Sequence, residues 1–398
     1  RNIETMMIAG GSIGSITSVV GNIESRSIQA GGDIGLIRAY TGMLGTSIVA
    51  GGDLAGITIP VGDIELTAVR ARDIGPIQIT DGSIQTSSFV ATRDIAAVST
   101  FGSEAGFGIQ DVSMVAGRDI GNILAQTHAG YGIRLLKLDA GRRIASVTGV
   151  SYGQFGSLDN AAILESNFLA SSMGAILGRS SGGRGIEASK FITRTAYDGS
   201  GNIDRTTGRI DSVVGDGWLD GLFEVIVVAH TDIGAITGTA YFEGSGISGG
   251  SYDANYGQIG QITAAGGAGS ATGGGFGIDT TRFQATDLTV GRIAGITTSA
   301  NANGRDAMSE AKVYAGSIGP IRATVHGGLD GNGIVGGEIR AFGQASGGAI
   351  DSVSVDVRSI NGIGIQDGKI TASGDFGPLT VNTFNATGIS GGEFQSRG

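Results

Sequence analysis

The sequence predicts an all-β chain, a right-handed parallel β-helix (β-solenoid) of about 15 three-sided coils with loop insertions on one edge. Three observations carry that expectation. An Ile-Gly-x-Ile shape recurs along the whole chain, each repeat contains three short apolar segments separated by turns, and the shortest repeats are too short to hold a helix.

The recurring anchor is clearest at Asp33-Ile34-Gly35-Leu36-Ile37. It returns with its two apolar residues at Ile13/Ile16, Leu54/Ile57, Ile74/Ile77, Ile95/Val98, Ile120/Ile123, Ile233/Ile236, Ile259/Ile262, Ile350/Val353 and Phe376/Leu379, among others. Between anchors lies a second unit, an aliphatic residue followed five positions later by a larger apolar one and then usually by Ala. Examples are Ile23/Ile28, Met43/Ile48, Ile64/Val69, Ile84/Phe89, Leu222/Val227, Ile247/Tyr252 and Ile278/Phe283. Side chains alternate faces along a strand, so two residues an odd number apart cannot both face inward without a corner between them. The anchor, the aliphatic position and the Ala-ending segment therefore form three sides.

Repeats between Ile13 and Ile95 are 20 or 21 residues long, shorter than a strand-helix-strand unit of about 30. Parallel strands joined by such crossovers are overwhelmingly right-handed. Residues 1–398 are expected to form a single solenoid domain, with 1–95 as a regular shaft and 96–398 as coils carrying longer inserted loops. The insertions fall mainly after the anchor and before the aliphatic position, where the separation grows to 19 residues between Ile144 and Ile163. Both termini lie in phase with the repeat and show no capping helix. Either continuation of a longer chain or self-association along the solenoid axis is expected from that pattern.

Composition bounds the function. Glycine is 75 of 398 residues and proline 4, yet there is no Gly-X-Y triplet, and β-branched residues are too abundant for a disordered linker. The net charge of −10 and the lack of a basic stripe disfavour nucleic acid and anionic lipid as partners. There is no cysteine, so disulfides, thiolate catalysis and cysteine-based zinc sites are excluded. No apolar run approaches the length of about 18 residues that a spanning helix needs, and no membrane insertion is expected of this segment.

Four groups of residues are candidates for chemistry. Asp33, Asp53, Asp73, Asp94 and Asp119 directly precede the anchor and should stack in a column beside Arg72, Arg93, Arg118 and Arg142. Turn capping with solvated charge is the expected role, a cation ladder the alternative. Asp198, Ser200, Asn202 and Asp204 place oxygen-bearing side chains at every second position, the spacing with which a loop wraps calcium, although no twelfth-position Glu follows. A polar turn is the competing expectation. Asp211, Asp216, Asp220 and Glu224 surround Trp218 and form the candidate carbohydrate subsite. His128, His230 and His326 show no triad or metal spacing, and exposed turn positions are expected for them. Asn385-Ala386-Thr387 matches a glycosylation sequon.

The run Gly31-Gly32-Asp33-Ile34-Gly35-Leu36-Ile37-Arg38-Ala39, closed by Ser47-Ile48-Val49-Ala50, resembles large glycine-rich β-solenoid proteins of bacterial surfaces, of the filamentous-haemagglutinin and autotransporter-passenger types. That resemblance implies an extracellular or cell-surface location and a role as shaft, adhesin or matrix fibre. It carries over no catalytic residue. The expected function is therefore a structural rod or filament subunit that is not an enzyme. The alternative is a carbohydrate-binding or polysaccharide-degrading β-helix, with surface polysaccharide as partner. An ice-binding solenoid fits less well, because no flat Thr-x-Thr array repeats from coil to coil.

Overall fold

The computed structural model describes residues 2–153, 160–195, 200–268, 274–287, 290–301, 305–343 and 347–397. These residues contain strands and turns and no helix. The described residues fall into two compact units, one over 2–153 and 160–176, the other over 177–397. Each is a parallel β-solenoid.

In the first unit the Ala-ending segments form strands Ile28–Ala30, Ser47–Ala50, Ala68–Ala71, Ser88–Ala91, Ser113–Ala116 and Lys137–Ala140. Each pairs in parallel with the next and in register, as Ile28 with Ile48, Val69 with Phe89, and Met114 with Leu138. In the second unit Ile226–Ala229, Ser251–Ala254, Arg282–Ala285, Lys312–Ala315, Glu338–Ala341 and Lys369–Ala372 repeat the arrangement. Inward residues of these ladders are buried and their neighbours face out, the alternation that the two-residue period of a strand demands. The core is thus a stack of like residues, the expected three-sided coil.

The anchor itself holds a bend. Ile34 bridges Leu54 and Ile37 pairs with Ile57, and all four are buried although the two members in each coil stand three positions apart. The odd separation requires a change of direction at Gly35-Leu36, so each coil contributes two inward positions there rather than one straight strand.

A second corner follows the aliphatic position and has a fixed conformation. Two residues after Met43, Ile64, Ile84, Ile109 and Ile133, the backbone is left-handed, with φ of 60° at Gly45, 51° at Leu66, 44° at Thr86, 50° at Asp111 and 53° at Leu135. The second unit repeats this at Ala188, Glu224, Gly249, Thr280, Glu310, Gly336 and Asp367. An L-residue there costs about 1–2 kcal/mol relative to the right-handed form, so the turn is imposed by the coil rather than chosen by the residue. The next position often carries a buried hydroxyl that satisfies the corner. Thr67 donates to Glu65 O at 3.0 Å, Ser87 to Gln85 O at 2.7 Å, Ser166 to Leu164 O at 2.9 Å and Thr281 to Asp279 O at 2.7 Å.

The insertions sit where expected, after the anchor, but they are largely strand rather than loop. Anchor strands lengthen from three residues at Ile37–Ala39, Ile57–Ile59 and Ile77–Ile79 to 13 at Val98–Gln110 and 16 at Asp119–Arg134. In the second unit Ile210–Gly217, Ile233–Ala240 and Arg292–Asn301 are extended likewise. The chain then folds back, and the two layers of this flange meet on small residues. A Cβ at Gly149 would lie 2.4 Å from Ala162 O, at Gly178 2.3 Å from Gly185 O, at Gly215 2.1 Å from Gly221 O, and at Gly238 2.1 Å from Gly246 O. Much of the glycine content answers this close approach.

Candidate functional site

The aspartate column of the first unit joins coil to coil. Asp33 Oδ1 accepts from Asp53 N at 2.8 Å, Asp73 Oδ1 from Asp94 N at 3.0 Å, Asp94 Oδ1 from Asp119 N at 3.1 Å, and Asp119 Oδ1 from Arg143 N at 3.1 Å. Each carboxylate therefore caps the backbone of the following coil, not its own turn as the sequence implied. The arginines pair one coil back: Arg72 with Asp53 through Nε at 2.8 Å and Nη2 at 2.6 Å, Arg93 with Asp73 at 3.6 Å, Arg118 with Asp94, and Arg142 with Asp119 at 3.8 Å. The Arg72 and Arg118 guanidiniums hold the Asp53 and Asp94 carboxyls below the ordinary range.

Asp94→Ala is expected to cost about 0.5–1.5 kcal/mol through the lost bond to Asp119 N. Asp94→Asn keeps an acceptor oxygen and should cost less than half as much, since the ion pair it loses is solvent-screened. A depressed carboxyl pKa stabilises the fold above its unfolded value near 3.8 and loses that contribution as pH falls through the folded value. The wild-type margin over Asp94→Asn should therefore shrink as pH falls below about 3.8 and be gone once pH passes below the folded value, which melting curves across pH would measure.

Of the calcium candidates, Asp198 lies outside the described residues. Asp204 is engaged within its own loop, accepting from Thr206 N at 2.9 Å, Thr206 Oγ1 at 2.6 Å and Thr207 Oγ1 at 3.2 Å. Those hydroxyl and amide donors, Thr206 first, lower its pKa. Ser200 and Asn202 share this segment, with Gly201 in the left-handed region at φ 80° between them. Among the described residues no group of three or more His, Asp or Glu side chains is placed to hold a metal ion.

The acidic residues around Trp218 disperse to different partners. Asp211 pairs with Arg209 at 2.5 Å and Asp216 with Arg179 at 3.2 Å, while Glu224 occupies a left-handed corner. Asp220 accepts from Ser245 N at 2.8 Å and from Arg184 Nε at 2.9 Å. Arg184 also reaches Glu187 at 2.5 Å and lies 3.9 Å above the Phe223 ring. Burial raises the Glu187 pKa against the pull of Arg184. Trp218 stacks on Phe242 at 5.2 Å.

Arg184 and Glu187 are distant in sequence from Asp220 and were not singled out there. The register of the repeat would have found them, because Glu187 follows Ile186 as Phe223 follows Leu222, and those two strands pair. This arrangement is a guanidinium held between two carboxylates and an aromatic face, with its donors taken up by protein groups.

Farther along the same unit burial raises the Asp306 pKa, while Asn332 donates to its Oδ1 from N at 3.1 Å and Nδ2 at 2.9 Å. A raised carboxyl pKa means the folded state holds its proton more tightly, so ionisation works against the fold above about pH 4. Asp306→Asn retains an acceptor for Asn332. It is expected to melt higher than wild type at pH 7, with the gain shrinking toward pH 4 and absent below it.

His230 departs from the expected exposed turn. It is 3% exposed, its backbone N donates to Thr193 Oγ1 at 2.7 Å, and its ring meets Tyr256 edge-on at 5.0 Å. His128 is exposed between Phe101, at 5.2 Å, and Tyr152, at 5.9 Å, and His326 is exposed.

Fold and surface together define a parallel β-solenoid repeat protein. Comparison with known proteins finds no matching family, no matching curated protein and no matching solved structure.

Proposed function

We propose that the chain is a structural solenoid, a rigid segment of an extracellular or cell-surface fibre, with the flange available for lateral association or adhesion. The supporting observation is that chemically equivalent groups repeat in register from coil to coil. Core aliphatics stack on aliphatics, left-handed corners repeat, and the aspartate carboxylates of the first unit bind the backbone of the next coil. An assembly in which each repeat is held by its neighbours is stiff along its axis and can be lengthened by adding coils, either of the same chain or of a second copy. The extracellular assignment draws on the resemblance of the repeat to surface solenoids.

Electron microscopy of the purified chain tests the reading. Slender particles of constant width, alone or joined end to end, are expected. Round, monodisperse particles that depolymerise a polysaccharide would overturn it in favour of the degrading β-helix.

A further inference from the structure

The first unit carries a groove where its short coils meet the first lengthened one. Its volume is about 360 Å³, within the range of small-molecule sites, and Asp63, Asp81, Gly82, Ser83, Gln85 and Phe107 line it. The repeat register explains its shape. Thr41, Gly62, Gly82, Phe107 and Tyr131 each stand two residues before the aliphatic position of successive coils, since Met43 pairs with Ile64, Ile64 with Ile84, Ile84 with Ile109, and Ile109 with Ile133. One column thus passes from glycine to aromatic within one coil.

The glycines are fixed by the backbone. Gly62 and Gly82 have φ of 97° and 154°, and a Cβ on either would lie 2.0 Å from the carbonyl oxygen of the preceding coil, Thr41 O or Gly62 O. Neither glycine puts a side chain in front of Phe107 on that side. Its ring stacks on Tyr131 at 5.7 Å with the planes 7° apart, and the Arg134 guanidinium lies 5.3 Å from the Tyr131 centroid, so the aromatic wall is braced from behind. Along the floor runs an oriented polar chain. Gln85 Nε2 donates to Ser83 Oγ at 2.8 Å, and Ser83 Oγ and N both donate to Asp63 Oδ1 at 2.7 Å.

We propose that this groove binds a neutral glycan chain. A pyranose ring presents an apolar C–H face and a rim of hydroxyls, and the groove offers a half-buried aromatic ring beside fixed amide, hydroxyl and carboxylate groups. The two aspartates repel uronic acids and sulfated sugars, which selects uncharged ones. This inference goes beyond the structural role above and does not depend on it, because a rod with or without a glycan groove would look the same in the microscope.

Affinity electrophoresis in gels containing dextran, β-glucan, galactomannan or xylan, with alginate and heparin as acidic counterparts, tests the proposal. Retardation by at least one neutral polysaccharide is expected. Phe107→Ala should weaken it by at least about tenfold, the usual consequence of truncating an aromatic anchor. Phe107→Tyr should retain it, and Trp218→Ala should leave it unchanged. An unaltered melting curve for Phe107→Ala, whose side chain is half-buried, separates lost binding from lost folding. Migration unaffected by every neutral polysaccharide, retardation by the acidic ones only, or retardation lost in Trp218→Ala rather than in Phe107→Ala would each overturn the assignment.

Discussion

Phe283→Ala should destabilise the second unit by about 3–5 kcal/mol, the range for deleting a fully buried aromatic ring from a packed core. Phe283 is 0% exposed, pairs in register with Tyr252 of the preceding coil and Val313 of the following one, and stacks on the Tyr252 ring at 5.1 Å with planes 18° apart. A narrow solenoid core has one residue per layer at this position, so neighbouring coils cannot collapse into the space without breaking their own backbone ladders.

Tyr252→Phe is the informative companion. The Tyr252 hydroxyl is buried and makes no hydrogen bond among the described residues, and burial pushes its pKa far above the ordinary phenol value. It stands near Gly250, where a Cβ would lie 3.5 Å from the hydroxyl and 3.1 Å from the ring, at a corner position that holds Thr67 or Thr281 in other coils. The ring is accommodated by that glycine, but its oxygen is not satisfied. Removing it should stabilise the unit by about 1–2 kcal/mol, the desolvation cost of an unpaired hydroxyl. Urea denaturation followed by circular dichroism, with the slope compared alongside the midpoint, would check both variants. A Phe283→Ala variant within 1 kcal/mol of wild type would show that the stacked layers tolerate a void that close packing forbids.

The coil was legible in the sequence because its core obeys a counting rule. Ile34, Ile48, Ile64 and Phe89 sit at separations that a stack of corners turns into ladders, and no long-range information is needed to see it. What composition could not show was the purpose of the glycines. In one sequence Gly35, Gly82 and Gly221 look alike, yet the first accompanies the anchor bend, the second stands in register with an aromatic ring, and the third lies in a pinch between two layers.

The candidate site was less legible for a related reason. Asp211, Asp216, Asp220 and Glu224 are close along the chain, but in a solenoid neighbours in space come from adjacent coils, and Asp220 finds Arg184, which it shares with Glu187, instead of its sequence neighbours. Phe107 gave no signal on its own. Only alignment of the coils places it above Gly62 and Gly82, and the left-handed corners, occupied by residues as different as Leu66, Thr86 and Glu224, leave no shared residue type to recognise.

The flange makes the sharpest demand on composition, and Gly221→Ala is expected to lower stability by about 1–3 kcal/mol or more. A Cβ at residue 221 would meet Thr239 N at 2.3 Å, Gly246 O at 2.6 Å and Gly215 O at 2.7 Å, all backbone atoms of the next coil and of the facing layer. None can rotate away as a side chain would. Relief requires the facing layer to part at Gly215 and Thr239 and the next coil to move away at Gly246, and the second shift lengthens the hydrogen bonds from Gly221 N to Ser245 O and from Leu222 N to Gly246 O, now 3.0 and 2.9 Å. The reciprocal change, Ala307→Gly in the same column, adds no clash and should cost about 1 kcal/mol through chain entropy and the loss of one buried methyl. Thermal melting of the pair discriminates the causes. Equal losses would mean that the column is sensitive to any change of residue, whereas a large loss for Gly221→Ala alone identifies the approach of two backbones as the reason that glycine dominates this chain.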